Sequence, residues 1–131
     1  MKVEDKDKEE KEKKYDLKER TTLFGEEIVK FSKKIPKNTV TIPIIGQLVK
    51  SGTSIGANYR EADCAESRAD FIHKIGICTK ESSETIHWLK MVIIAVPEMK
   101  DEANILLKEA TELNLIFNSI RNSTNNRTKE K

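Results

Sequence analysis

Apolar and small side chains recur along this chain at alternating steps of four and three. Leu17, Thr21, Phe24, Ile28, Phe31 and Ile35 form the first such series, and a period near 3.6 residues gathers them on one side of a helix. The spacing predicts a helix from about Asp16 to Lys34, because Pro36 disfavours helical geometry at Ile35. A second series, Ile45, Leu48, Gly52, Ile55, Tyr59 and Ala62, predicts a helix that starts between Thr39 and Pro43 and lasts to about Cys64 or Ala65. Pro43 suits a first helical turn and argues against reading the β-branched run 39–45 as a central strand. Gly46, Gly52 and Gly56 each weaken a helix by up to ~1 kcal/mol, so neighbouring helices are expected to hold this one and to approach its glycines closely.

Phe71, Ile75, Cys78, Ser82, Thr85, Leu89, Val92 and Val96 form the longest series. It predicts a third helix that begins near Ser67, whose spacing to Asp70 resembles a helix-starting cap, and halts at Pro97. Leu106, Ala110, Leu113, Phe117 and Ile120 define a fourth, with Asp101 and Glu102 favoured at its positive N-terminus. Four helices with short connections predict an all-α fold, an antiparallel up-down four-helix bundle.

Two ends flank this pattern. Residues 1–14 hold six lysines and six acidic residues, so the arm has nothing to bury and is expected to be disordered or frayed. Residues 121–131 are basic and rich in Asn, Ser and Thr, which predicts a flexible tail. The bundle domain is thus expected over residues 15–120.

Composition narrows the function classes. With 131 residues the chain fits one domain, and a net charge of +2 supports no strong claim for nucleic acid or membrane. No apolar run approaches a membrane span and no export signal is apparent, so a cytoplasmic protein with reduced thiols is expected. Both Cys64 and Cys78 are read as small buried hydrophobes. Together with His73 and His87 they are zinc-type ligands, but the two histidines stand about 21 Å apart along one helix and cannot share an ion. No metal or cofactor is expected. Glu81 and Glu84 are the nearest approach to a carboxylate pair, and two glutamates on one helical face are more often solvated or ion-paired. With no phosphate-cradling loop or nucleophile elbow in the chain, a non-enzyme is expected.

Two groups of residues stand out. Lys30, Lys33, Lys34 and Lys37, at i, i+3, i+4 and i+7, would project a cationic ridge able to contact phosphates. The same lysines also suit the negative end of the helix dipole. Gln47, Ser51, Ser54, Asn58 and Glu61 form a polar seam one position ahead of the apolar stripe of the second helix. Hydrogen bonding between helices or between subunits accounts for it better than ligand contact does.

The segments 15–24 (YDLKERTTLF), 47–62 (QLVKSGTSIGANYREA), 69–74 (ADFIHK) and 80–89 (KESSETIHWL) resemble the four-helix bundle proteins of bacterial 23S rRNA intervening sequences, over about residues 15–120. The resemblance implies an up-down bundle assembled as a homo-oligomeric ring, commonly a homopentamer, in the bacterial cytoplasm. It also implies kinship with accessory proteins of diversity-generating retroelements, which associate with a reverse transcriptase and nucleic acid. It brings no catalytic residue. Two functions are therefore expected as alternatives: association with RNA or a ribonucleoprotein partner, or a protein-interaction scaffold. Ile105 and Ile116, apolar but outside the main stripe of the fourth helix, belong to the second.

Overall fold

Asp16 opens the first helix by accepting a hydrogen bond from the backbone N–H of Glu19 at 3.2 Å, which satisfies one of the free donors at a helix start. This computed structural model describes the backbone of residues 16–130 and the side chains of residues 16–125. The arm expected at 1–14 lies outside the described residues. Helix α1 spans Leu17–Lys34, and Ile35 turns to extended geometry ahead of Pro36. Helix α2 spans Thr41–Asp63. Its start is set by Asn38, whose side-chain oxygen accepts from the N–H groups of Val40 and Thr41 at 2.9 Å each. Pro43 sits inside the first turn, where its missing N–H costs nothing.

Helix α3 spans Arg68–Ala95, and Ser67 Oγ caps it by accepting from the N–H of Asp70 at 3.0 Å. A single 3₁₀ turn, Pro97–Met99, leads into α4, Lys100–Glu130. The fourth helix therefore runs through the segment expected as a loose tail, since nothing after Ile120 is a Gly or Pro that would end it. Among the described residues there is no strand, and no helix is long and apolar enough to cross a membrane.

The four stripes meet in one core. All six members of the first series are buried, as are Leu48, Gly52, Ile55 and Ala62 from α2, seven of the α3 series from Ile75 to Val96, and Leu106, Ala110, Leu113 and Phe117 from α4. Consecutive helices pack together and α1 closes against α4. Arg20 of α1 binds Glu109 in a two-pronged arrangement, Nε donating to Oε2 at 2.8 Å, and also donates to Glu112 of α4. Its side chain is only 15% exposed, so this fork is worth more than the exposed Lys34–Glu102 pair beside it.

Helices α1 and α2 come together at glycines. A Cβ at Gly56 would lie 3.2 Å from the Thr21 carbonyl oxygen, and one at Gly52 would fall 2.8 Å from Ile28 Cγ2. The expected close approach is thus present, and it is the absence of side chains there that permits it.

Candidate functional site

The polar seam of α2 faces α3, but its members part company there. Ser51 is buried, its hydroxyl 3.0 Å from that of Thr85 on α3, so it ties the two helices through the core. Glu61 accepts from Lys74 Nζ of α3 at 2.8 Å, and the carboxylate holds the lysine above its usual pKa. Ser54 and Asn58 bond instead to carbonyls of their own helix, Asn58 Nδ2 reaching Ser54 O at 2.8 Å. Gln47 is exposed and takes part in none of this.

Gln47 lines an open cleft of about 400 Å³ with Lys80, Ser83, Glu84, His87 and Trp88 of α3. Imidazole and indole lie edge to face, their ring centres 4.8 Å apart. One turn away Glu81 is half-buried, and its pKa is raised by burial, with the Glu84 charge adding to it and Lys80 and Lys50 opposing. Among the described residues no group of His, Cys, Asp and Glu is arranged to hold a metal ion. The cleft was not singled out from the sequence, although Lys80, Ser83, Glu84 and His87, at i, i+3, i+4 and i+7, share one face of a helix. That second, polar face of α3 is the signal that marks it.

The four lysines of the ridge are all exposed. Lys30, Lys33 and Lys34 lie on the last turns of α1, whereas Lys37 falls in the connection, after the helix has ended at Lys34. Lys30 sits 3.5 Å from Glu27 and Lys34 pairs with Glu102, both across well-exposed surface. Such pairs are worth no more than about 1 kcal/mol and yield readily to a polyanion. Lys33 and Lys37 have no ion pair among the described residues.

The cysteines need a correction. Cys78 is buried as expected, its thiol 3.7 Å from the Ile55 carbonyl oxygen, and burial pushes it up to about 12. Cys64 is exposed, because it occupies the C-cap of α2 where the chain leaves the core. Under native conditions an aromatic disulfide reagent is therefore expected to titrate one thiol per chain, at Cys64, with Cys78 released only on unfolding. Two fast thiols would show that the α2–α3 core opens readily.

A family model described as "23S rRNA-intervening sequence protein" matches residues 13–119. No curated protein matches the chain. Among solved structures, a protein with unknown function from the S23 ribosomal protein family of Bacteroides thetaiotaomicron VPI-5482 is similar, with a TM-score of 0.75 and 35% sequence identity. The similarity covers 84% of this chain and 98% of that one.

Proposed function

The chain belongs to the 23S rRNA-intervening sequence protein family, and from that premise we propose that it is a non-enzymatic, homo-oligomeric bundle protein of the bacterial cytoplasm that associates with RNA or a ribonucleoprotein partner. Lys30, Lys33, Lys34 and Lys37 make the phosphate contacts. The observation that carries this reading is that all four ammonium groups stand on the surface at one end of the bundle, two without a protein partner among the described residues and two in weak exposed pairs. An up-down course of the helices is supported by their short connections and by the pairing of Arg20 with Glu109 and of Lys34 with Glu102.

Gel-shift titration with single-stranded RNA tests the reading. Binding is expected to weaken steeply with salt, and changing all four lysines to glutamate is expected to weaken it at least tenfold at low salt, as the loss of several phosphate contacts requires. Salt-independent absence of binding at micromolar protein would overturn it.

The oligomer rests on a separate observation. Leu23, Val29, Val40, Ile42, Ile94, Ile105 and Leu115 are large apolar residues left exposed, Ile94 at 77% and Ile105 at 71%, while Ile116 is half-buried against the core. Apolar area of this kind on several sides of one small bundle suits a ring in which each copy uses two different surfaces, with a homopentamer as the expected size. Sedimentation at tens of micromolar is expected to give a species several times 15.0 kDa; a stable monomer would count against it. The same residues favour a second reading, a scaffold for protein partners without nucleic-acid contact. Pull-down of proteins that survives nuclease treatment, with no gel shift, would select it.

A further inference from the structure

We propose that the cleft between α2 and α3 binds a guanine nucleotide of single-stranded RNA, with Glu84 reading the base edge, Trp88 and His87 offering an aromatic surface, and Lys80 meeting the phosphate. The inference rests on the RNA reading above and deepens it by naming a second contact and the base it prefers.

Three chemical functions converge on one space. The cleft holds about 400 Å³, within the range of small-ligand sites. Trp88 is half-buried beside an exposed His87, so an aromatic surface is fixed by the core on one side and open on the other, as a stacking platform requires. Glu84 supplies two acceptor oxygens, and guanine presents two adjacent N–H donors on its pairing edge where adenine presents an acceptor beside its amino group. Gln47 and Ser83 add neutral donors and acceptors at the rim.

Charge decides between occupants. A carboxylate beside an indole would also suit an arginine from a protein partner. Lys80 lines the same cleft as Glu84, so a cationic side chain there meets an ammonium group as well as the carboxylate, whereas a phosphate is attracted by the lysine. An occupant that carries donors at one end and an anion at the other satisfies both sets of groups.

Trp88 is the single tryptophan of the chain, so its fluorescence reports this cleft directly. The full-length protein is titrated with guanosine 5′-monophosphate, adenosine 5′-monophosphate, inorganic phosphate, and seven-nucleotide RNAs of uridine with and without one central guanosine. Saturable quenching is expected with the guanine nucleotide about tenfold tighter than with the adenine nucleotide, and none with phosphate. The guanosine-containing RNA is expected to bind tighter still; tighter binding of the free nucleotide than of that RNA would overturn the RNA source. Glu84→Gln is expected to erase the preference for guanine, and Lys80→Glu to weaken both nucleotides about fivefold alike, each with an unchanged helical circular dichroism spectrum. Absence of saturable quenching, equal affinity for the two bases, or a preference that survives Glu84→Gln would overturn the proposal. Quenching by a short arginine peptide but not by the guanine nucleotide would also overturn it, in favour of a protein partner. Changing the four ridge lysines to glutamate is expected to leave mononucleotide quenching intact, so failure of the ridge and failure of the cleft are read separately.

Discussion

Phe117→Ala is expected to destabilise the protein by about 3–5 kcal/mol, a large share of the roughly 5–15 kcal/mol that holds a domain together. Phe117 is fully buried in the second half of α4, its ring centre 6.2 Å from that of Tyr59 on α2. The side chain crosses the bundle from one helix to another, so truncation removes apolar burial and an aromatic contact and leaves a cavity that rigid helices cannot collapse to fill. In urea the midpoint is expected to fall with an unchanged slope. Ile105→Ala on the same helix, 71% exposed, is expected to change the isolated bundle by less than about 0.5 kcal/mol. A loss below about 1 kcal/mol for Phe117→Ala would mean that α4 is not docked over this half of its length.

Glycine-to-alanine changes in α2 are expected to have opposite signs at two positions. At Gly46 nothing lies within 4 Å of an added Cβ, so Gly46→Ala gains helix propensity and stabilises by up to about 1 kcal/mol. At Gly52 the added Cβ would meet Ile28 Cγ2 at 2.8 Å and Cγ1 at 2.9 Å. Ile28 is itself fully buried, so neither atom can withdraw without displacing its neighbours. The clash outweighs the propensity gain, and Gly52→Ala is expected to destabilise by about 1–3 kcal/mol. Ile28→Ala removes both clashing atoms, and the double variant is therefore expected to be more stable than the sum of the two losses predicts, by about 1 kcal/mol. Strict additivity would show that the two helices stand further apart than described. The glycine also fixes which residue of α1 lies opposite which residue of α2, and hence where the exposed groups of both helices stand.

Much of this arrangement was legible in advance, and for a definite reason. The α1 series from Leu17 to Ile35 was read from spacing, and every member is buried. Pro36, the Ser67 cap and Pro97 marked real ends because each acts through local backbone geometry or a hydrogen bond three residues away. Within the seam, Ser51 could not be told from Ser54. Both serines of this polar stripe donate back to a carbonyl of their own helix, yet Ser51 also accepts from Thr85 of α3. Cys64 is expected to be buried only because cysteine usually behaves as a small hydrophobe, but it stands two residues past Ala62, off the apolar stripe, at the C-cap of α2.

By itself the sequence determined four helices, those of their limits that proline and serine signals mark, though not the end of α4, and the face each turns inward, since these depend on propensity, capping and a period internal to one segment. Only the tertiary structure decided which outward residues share a space: Gln47 of α2 joined the polar face of α3 to form the cleft. Such meetings depend on how two helices are set against each other, and that offset comes from side-chain volumes at their contact, as at Gly52 and Ile28, which no periodicity within a single helix records.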